Sequence, residues 1–472
     1  DPGAPPPSHR VAPKKIWWGP LCALFITLTW AAAPVIGFVA ALRIVAIFGF
    51  AAMIIGLRFP TLGLLGVAIL CTIDAPARVY ILTGGLLRWN TMNYWLLLVM
   101  LLYIPFLIRL RDPHSLILAV FVALLGIELV ISPDLTDGVQ NILGIIATFG
   151  LLIYFVRAGH DRRMWFWLGV VVGLLGALGG LMFFLQRLHL MRINENAWAT
   201  FPLGALLVVF FAFPSAASLK RGQPTLMALA AANLVWIFLS GSRGTLLIGI
   251  CCVIDLVMGM RGLRQRTIAL TTAALLGVAA AAHFAKLQDR ALFRIVKLFT
   301  LEHDFAGNYS LASRTSGRSD LAIGGWDIFK AHPFGVGSGG FPTAWENLDR
   351  HYQLVYGRGE KKAAHSGWLK TLVENGIPGI VLLFAYVCSF AAVGLRQRDR
   401  NLLRMSFITS GALMAALLAT EFQSKGLWFL AAGMTTFLHR DALRAAMFPR
   451  RFVPRARPVL RASPAAFSHD AP

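Results

Sequence analysis

The most constraining feature of the sequence is a succession of long apolar stretches separated by short charged connections. Several stretches reach the length of about 17–25 residues that a helix needs to cross a hydrocarbon core of roughly 30 Å. Their apolar residues run on continuously, whereas those of barrel strands alternate with polar ones. We therefore predict an all-α fold, a polytopic membrane helix bundle with about 12 to 14 transmembrane helices and one large, partly helical loop on the outer side. The predicted spans cover residues 16–36, 37–57, 59–73, 91–108, 115–131, 139–156, 164–186, 197–213, 225–240, 245–260, 267–284, 376–394, 403–420 and 426–438.

The composition favours a membrane protein over a soluble one. Hydrophobic residues make up 57% of the chain and charged residues 14%, whereas soluble domains carry about 25% charged residues. The chain nevertheless holds 44 Lys+Arg against 22 Asp+Glu, a net charge of +22. These values exclude a disordered chain, a disulfide scaffold and a single soluble enzyme domain. They leave a multi-span membrane protein or a nucleic-acid binder with a large core, and the positions of the basic residues decide between the two.

Most basic residues occupy every second connection between the predicted spans. Because cytoplasmic loops carry the excess of Lys and Arg, an even number of spans places all of these segments in the cytoplasm. The intervening connection 132–138 carries two acids and no base. Most of the net charge therefore reports topology, and no nucleic-acid partner is expected. The basic segments are Lys14–Lys15, Arg109–Arg111, Arg157–Arg163, Lys220–Arg221, Arg261–Arg266, Arg396–Arg404 and the tail from Arg440 to Arg461.

The same alternation divides the chain into five segments. The long loop carries 11 Lys+Arg and 8 Asp+Glu, and its length indicates a functional element with helices of its own. Arg187, Arg192 and Arg243 fall on the same translocated side, against the topological rule, so we consider them candidates for a function. The segments are a disordered N-terminal tail (1–15), an N-terminal transmembrane bundle (16–284), the periplasmic loop (285–365), C-terminal transmembrane helices (366–438) and a basic cytoplasmic tail (439–472), which we expect to be disordered near anionic lipid.

The first motif with chemistry in it is Ser240-Gly241-Ser242-Arg243-Gly244, between two predicted spans. Its glycines permit a tight turn, and the helix that follows exposes backbone N–H donors at its start. Arg243 adds a permanently charged, forked donor that suits a phosphate or diphosphate. A plain turn between helices with a snorkelling arginine explains the same residues equally well.

The second motif is Ser316-Gly317-Arg318-Ser319-Asp320, which leads into a segment rich in glycine. Ser319 or Asp320 can cap a helix that runs to about Ala331, with Arg318 at its start, where an anion can bind. His332-Pro333 ends that helix. For the four glycines between 335 and 340 a tight structural loop is the favoured interpretation, because neither a preceding strand nor a following helix fits a dinucleotide site.

The third motif is Ala364-His365-Ser366-Gly367-Trp368-Leu369, followed by Glu374-Asn375-Gly376. His365 stands at the outer mouth of an apolar helix, where a neutral imidazole can take a proton from a hydroxyl group. A structural histidine that only forms hydrogen bonds is the more common case. On chemistry alone the other histidines of the loop, His303, His332 and His351, compete with it.

The sequence contains no motif typical of a divalent metal site or of a soluble hydrolase. Glu302-His303-Asp304 is the nearest cluster, but consecutive helical residues point in different directions. Asp134 and Asp137 form the other acidic pair on the outer side. If the protein acts on a diphosphate, arginines must supply the charge compensation that a metal ion otherwise gives, and neither a metal nor a cofactor is expected.

The ordered series of motifs resembles the bacterial O-antigen ligase and polymerase superfamily. It reads S-G-S-R-G, then R-S-D-x-A-x-x-x-W-x-x-F-x-x-H-P-F-G-V-G-x-G-x-F, then A-H-S-x-W-L-x-x-L-x-E-x-G. The resemblance implies a metal-independent glycosyltransferase of the GT-C type in the bacterial inner membrane, with its active site facing the periplasm. It implies a polysaccharide donor on undecaprenyl diphosphate and, for the ligase branch, a sugar hydroxyl of the lipid A–core oligosaccharide as acceptor. The family's essential arginines match Arg243 and Arg318, and its essential histidine matches His365.

From this resemblance we predict that Arg243 and Arg318 hold the diphosphate and that His365 acts as the base in a single, inverting displacement. Arg187 and Arg192 are added as diphosphate-binding candidates from their sidedness alone. An O-antigen polymerase or a protein O-oligosaccharyltransferase would use the same donor and the same arginines, so these alternatives stay open. A lipid or solute transporter would explain the spans, but it requires an internal hydropathy repeat that the sequence does not display.

Overall fold

The computed structural model describes residues 18–73, 91–159, 162–189, 195–216, 222–240, 248–249, 252, 318–348, 364–419 and 425–449. Every regular element in these ranges is a helix and no strand occurs in them, so the all-α prediction is confirmed. The helices are α1 (Trp18–Ile36), α2 (Phe38–Ile55), α3 (Pro60–Thr72), α4 (Thr91–Leu102), α5 (Ile104–Leu107), α6 (Pro113–Glu128), α7 (Leu135–Ala158), α8 (Arg162–His189), α9 (Glu195–Ala216), α10 (Gly222–Ser240), α11 (Arg318–Ala331), α12 (Phe341–Glu346), α13 (Gly367–Gly394), α14 (Arg400–Ala419), α15 (Lys425–Leu438) and α16 (Arg440–Met447), with a short 3₁₀ turn at Leu129–Ile131 after α6.

Seven helical segments in the described ranges are long and apolar enough to cross a membrane. Four shorter apolar helices accompany them, and the protein is therefore an all-α polytopic membrane protein. The number of 12 to 14 spans stays a prediction, because the spans predicted at 245–260 and 267–284 lie almost entirely outside the described residues. The seven segments are Trp18–Ile36, Phe38–Ile55, Pro113–Ile131, Leu135–Ala158, Arg163–Met182, Gly367–Gly394 and Arg400–Leu418.

Local chemistry sets the ends of these helices. In hydrocarbon each backbone N–H and C=O must be satisfied within its own segment, so an uninterrupted apolar run becomes a helix. Asp112 caps α6 by accepting a hydrogen bond of 2.8 Å from the Ser115 N–H, and Asp134 caps α7 in the same way. One predicted span, 91–108, is divided at Tyr103 into α4 and α5. Pro105, in the first turn of α5, has no N–H to donate to the Leu101 carbonyl four residues earlier, and its ring clashes with that carbonyl.

Two of the predicted spans, 59–73 and 426–438, are short and lie in the interior of the bundle. α3 has 13 residues and α15 has 14, and most residues of both helices are buried. Glycines let the backbones approach closely: a methyl group at Gly66 of α3 would lie 2.5 Å from the Met53 nitrogen of α2. Close backbone contact through small residues is the usual way in which membrane helices associate. Because protein surrounds them, these two helices have no need to match the full thickness of the membrane.

Several of the arginine-bearing connections that the structure describes lie at one end of the bundle, which we call the arginine-rich end. An Arg109 guanidinium nitrogen donates to the Ala446 carbonyl over 3.4 Å, and Arg157 donates to the Leu57 carbonyl over 2.5 Å. The Arg444 guanidinium lies against Gly159, at the end of α7. These contacts tie together connections that the alternation of basic residues places on one side of the membrane.

The segment predicted as a disordered tail starts with a helix. α16 (Arg440–Met447) places Leu443 in the hydrophobic core, while Arg440 and Asp441 are exposed. An amphipathic helix of this kind is stabilised by burial of its apolar side. The prediction of disorder was therefore wrong for the first part of 439–472; the N-terminal tail 1–15 lies outside the described residues.

Candidate active site

The glycine-rich segment after α11 is a tight structural loop, which is the interpretation that the sequence favoured for its glycines. α11 ends at Ala331, as predicted, and begins at Arg318. Ser319 and Asp320, expected as caps, are already in its first turn. The following loop uses backbone geometry that side chains disfavour, since Gly335, Gly337 and Gly339 have φ angles of 95°, 95° and 85°.

A break in α13 leaves backbone carbonyls without their helical partners. Gly376 has φ 59° and ψ −152°, which is not helical, so the Ile377 N–H points away from the Val373 carbonyl four residues earlier. Pro378 has no N–H with which to reach the Glu374 carbonyl. Buried carbonyls left in this way cost free energy unless another donor reaches them.

The glycine-rich loop supplies those donors. Two of its N–H groups reach the released carbonyls of α13, and the N–H beyond the kink donates back to the loop. The loop and the broken helix therefore satisfy each other, which explains why the H-P-F-G-V-G and E-x-G segments occur together in the sequence. The three bonds are Val336 N to Val373 O, Gly337 N to Glu374 O and Ile377 N to Pro333 O, each 3.0 Å long.

The other side of the loop is held by the connection between α6 and α7. The Ser132 hydroxyl donates to the Ser338 carbonyl over 2.6 Å. A methyl group at Gly339 would lie 2.4 Å from the Gly138 nitrogen, so the two backbones are in contact there. We predicted that 132–138 and the long loop share one side of the membrane, and the structure places the described part of that loop against this connection.

Buried polar side chains next to the break in α13 also hold the glycine-rich loop in place. The Asn375 side-chain amide donates to the Glu128 carboxylate, and both side chains are buried. Glu374 accepts a hydrogen bond of 3.2 Å from the backbone N–H of Phe341 and lies 3.8 Å from the Lys370 ammonium. A hydrogen-bonded network at this depth fixes one arrangement, since each member left unpaired would be costly.

His365 occupies a constrained position at the start of α13. It is the only non-glycine residue in the described ranges with a positive φ, 52°, and its side chain is exposed while that of Ala364 is buried. Its neighbour Ser366 caps α13 by accepting from the Leu369 N–H over 3.3 Å. The same hydroxyl donates to the Leu417 carbonyl of α14 over 3.2 Å. Strained backbone that the surroundings hold in place is concentrated at functional sites.

The structure brings Arg318 and His365 to the same end of two parallel helices. A methyl group at Gly325 of α11 would lie 2.6 Å from Leu369 Cδ1 of α13, so these two residues set the register. At 1.5 Å per residue, the backbone of Arg318, at the start of α11, lies roughly 10 Å beyond this contact, and that of Gly367, at the start of α13, lies roughly 3 Å beyond it. His365 precedes Gly367 by two residues. Leu321, in the first turn of α11, belongs to the same apolar cluster as the residue before His365, which agrees with that register.

The other predicted site residues are described only in part or not at all. Arg187 lies in the last turn of α8, a position for which the structure describes the backbone alone. Arg192 and Arg243 lie outside the described residues. Within the described ranges no three His, Cys, Asp or Glu side chains come together in a way that could hold a metal ion.

An exposed apolar surface extends from the middle of α11 to the loop that follows it. Ile323, Trp326 and Phe334 are 49%, 50% and 74% exposed, and the Trp326 ring packs against Phe329 at 5.1 Å between centroids. Aromatic side chains of this kind are enriched where protein meets the interface of the bilayer. The surface therefore suits contact with lipid at the level of the headgroups.

Sequence reasoning missed the supporting network of Glu128, Lys370, Glu374 and Asn375. The available signal was Glu128 itself, an acid inside the predicted span 115–131, since ionisable residues within membrane segments usually serve a function. The partner of Glu128 is 247 residues away along the chain, and the sequence does not indicate which residue that is.

The described helices are those of a polytopic membrane protein. At the end of the bundle that holds His365, the broken helix α13 supports a polar site. Residues 226–384 match the model of a protein family described as O-antigen ligase. This match confirms the resemblance seen in the motifs and assigns that segment to the O-antigen ligase superfamily. It contains Arg243, Arg318 and His365, whereas Arg187 and Arg192 fall before it. A search of curated proteins gave no significant match.

A match to this family implies a glycosyltransferase-like enzyme with polysaccharide and lipid substrates in a membrane environment. It does not distinguish ligases from polymerases.

Proposed function

We propose that the protein is an O-antigen ligase. In this proposal it is a metal-independent, inverting glycosyltransferase of the GT-C type in the bacterial inner membrane. It moves O-antigen polysaccharide from undecaprenyl diphosphate to a sugar hydroxyl of lipid A–core at the periplasmic face. The observation that carries the proposal is the exposed, conformationally constrained His365 at the same end as the start of the helix that carries Arg318, within a superfamily segment.

His365 is proposed to act as the general base. Its imidazole is exposed, at the end of the bundle that we propose faces the periplasm, where a sugar hydroxyl of the acceptor can approach it. The cap by Ser366 and the bond from the Trp368 indole nitrogen to the Met414 carbonyl, 3.0 Å long, fix the start of α13 against α14. Positioning of this kind lets a base contribute about 10²–10⁴-fold to the rate.

The arginines are proposed to hold the leaving group. The hydroxyl proton passes to the His365 imidazole while the acceptor oxygen forms a bond to the anomeric carbon. The bond from that carbon to the diphosphate oxygen breaks, and its electron pair leaves with undecaprenyl diphosphate. Arg243 and Arg318 stabilise the charge that develops there, which is typically worth about 3–4 kcal/mol for each donor. Arg187 and Arg192 remain candidates for the same diphosphate.

The exposed apolar surface supports a lipid-linked substrate. Trp326 and Phe334 project from the segment that follows Arg318, so a polyprenyl chain or the acyl chains of the acceptor can lie in the membrane while the reacting groups meet at its surface. Both substrates carry their reactive group at the level of the lipid headgroups, which is the level at which this end of the bundle presents His365.

The acceptor decides between the members of the superfamily, and a direct assay tests it. Purified full-length protein is supplied with a glycan on undecaprenyl diphosphate and, separately, with lipid A–core, with a second donor repeat unit, or with a pilin-type protein. We expect transfer to lipid A–core without any energy source. Extension of the donor alone would instead identify a polymerase, and modification of the pilin would identify a protein O-oligosaccharyltransferase. Movement of lipid without transfer would indicate a transporter.

A matched variant links the assay to the site. Lys330 is exposed in the last turn of α11 and pairs with Asp327 over 2.9 Å, roughly 18 Å along the helix from Arg318. Lys330→Gln removes one positive charge from the same helix as Arg318, and we expect it to keep full transfer activity. Arg318→Gln, which also removes one charge, should abolish most of it, so the pair separates a specific role from a general loss of positive charge.

A further inference from the structure

Helix α6 packs along α13 and contacts it on both sides of the break. Near the start of α6, the His114 Nδ1 lies 2.6 Å from the Ser389 hydroxyl, and the imidazole is the donor because the proton of that hydroxyl goes to the Tyr386 carbonyl. In the last turn of α6, the Glu128 carboxylate accepts a hydrogen bond from the Asn375 side-chain amide. The two helices therefore run antiparallel, and each half of the broken helix has a polar link to α6.

The two links have the same spacing on both helices. The two partners on α6 are as far apart along their helix as the two partners on α13, roughly 21 Å at 1.5 Å per residue. All four side chains are buried, so loss of either bond would leave a polar group unpaired at a cost. Because α6 is continuous between its two links and α13 is not, α6 bridges the break and fixes the two halves of α13 relative to each other.

The first half of α13, residues 367–375, depends on contacts of this kind. The break gives the Val373 and Glu374 carbonyls to the glycine-rich loop instead of to the second half of the helix. The contacts described above for the first half come from α11, from that loop and from α14, which all follow residue 317 along the chain. Glu128 adds a contact from the N-terminal transmembrane bundle. It thereby joins this bundle to the element that has His365 directly before it.

We propose that Glu128 is a positioning residue for glycosyl transfer: by holding Asn375, it fixes the first half of α13 and thereby the place of His365. This inference rests on the proposed role of His365 as the base. Glu128 is buried and lies away from the reacting groups, so its loss should slow the reaction and leave donor binding unchanged. Misplacement of a catalytic group by about 1 Å can cost about 10²-fold in rate, even when the altered residue is far from the chemistry.

Steady-state transfer by two variants of the purified full-length protein tests the proposal. Glu128→Gln keeps a carbonyl oxygen that can accept from Asn375, whereas Glu128→Leu, of similar size, removes the acceptor. We expect Glu128→Leu to lower kcat at least about tenfold, as loss of a hydrogen bond to a charged group allows, with the KM for the lipid-diphosphate donor unchanged. Glu128→Gln should keep most of the kcat. An unchanged kcat in Glu128→Leu, or an equal loss in both variants, would overturn the proposal.

A reversed pair tests the same bond without an apolar substitution. Asn375→Asp places two carboxylates against each other and should lower kcat in the same way. Addition of Glu128→Gln reverses the direction of the bond, since the new amide can donate to the new carboxylate, and should restore kcat. A double variant as slow as Asn375→Asp alone would contradict the proposed role of this pair.

Leu175→Ala is the control for a general loss of stability. Leu175 is buried in α8, which packs against α1, α3, α9 and α10. Its truncation leaves a cavity in the core, so it should lower the unfolding temperature at least as far as Glu128→Leu does and leave kcat unchanged. An equal fall of kcat in both variants would show that Glu128 contributes only to stability.

Hydrogen–deuterium exchange separates this inference from the proposed function. In Glu128→Leu the amides of 366–375 should exchange at least about tenfold faster than in the unmodified protein or in Glu128→Gln. Failure of the unmodified protein to transfer glycan to any acceptor would refute the proposed function and not the link between α6 and α13. Unchanged exchange in Glu128→Leu would refute the positioning role, whatever the activity of the unmodified protein.

Discussion

The hydrogen bonds between the glycine-rich loop and the broken helix α13 predict the effect of Gly335→Ala. A methyl group at this position would lie 2.2 Å from the Glu374 carbonyl oxygen, an atom of the backbone that is itself held by the loop. The φ angle of 95° adds strain, about 1–2 kcal/mol for a residue that carries a side chain. The loop therefore has to move away from α13.

Movement of the loop also breaks hydrogen bonds. The bonds from Val336 and Gly337 to α13 contribute about 0.5–1.5 kcal/mol each, so the total cost of the substitution is about 2–5 kcal/mol. Because each 1.4 kcal/mol corresponds to about a tenfold change in an equilibrium constant, the amides of segment 332–341 should exchange at least about 30-fold faster. Hydrogen–deuterium exchange with mass spectrometry measures this directly, and glycosyl transfer should fall in parallel.

Gly411→Ala is the matched control. Gly411 lies in α14, and a methyl group there would meet no atom within 4 Å, so alanine should stabilise the helix by about 0.5–1 kcal/mol. If Gly335→Ala kept the exchange protection of 332–341 and full transfer activity, the loop would not be held by α13 in the way described.

Three further predictions concern the site and its surroundings. Ser366→Ala should cost about 1 kcal/mol through loss of the cap and lower the transfer rate, whereas Ser366→Thr, which keeps a hydroxyl that can both accept and donate, should restore thermal stability in an unfolding assay. Trp326→Ala should raise the KM for a donor with a full polyprenyl chain and leave the KM for a short-chain donor unchanged, because only the long chain reaches the exposed surface. Transfer should persist in excess EDTA, since arginines supply the charge compensation; an activity that the chelator abolishes and Mg²⁺ restores would contradict this.

Much of the fold could be predicted because membrane helices follow hydropathy. The helix Glu195–Ala216 coincides with the span predicted at 197–213, and the helix Arg400–Ala419 coincides with the span predicted at 403–420. Lipid forces each apolar run to satisfy its own backbone, so a local pattern is enough to place the helix. The end marked by His332-Pro333 was also predictable, since the ring of a proline restricts the residue before it.

The start of α13 was predicted too late. The span was placed at 376–394, whereas the helix begins at Gly367. Lys370, Glu374 and Asn375 lower the hydropathy of its first part, and their burial depends on partners elsewhere in the chain. A hydropathy scan registers the polar side chains but not the Glu128 carboxylate or the loop that accommodates them.

The arrangement of the site was predictable only in part. The motif order indicated which residues share one side of the membrane, and the parallel packing of α11 and α13 brings the start of one to the start of the other. The positive φ of His365 could not be read from its residue type, since histidine adopts that region only occasionally. The burial of Ala364 and the hydrogen bond from the Ser366 hydroxyl to the Leu417 carbonyl hold this segment in place, and both are tertiary effects.

Single-turnover glycosyl transfer by a His365→Asn variant tests the central claim most directly. Asparagine tolerates the left-handed backbone conformation, so it preserves the turn and removes only the base; His365→Ala serves as the companion variant. We predict that His365→Asn binds the lipid-diphosphate donor as the unmodified protein does and transfers the glycan at least about 100-fold more slowly. Transfer at a rate close to that of the unmodified protein, with donor binding intact, would remove His365 from the mechanism.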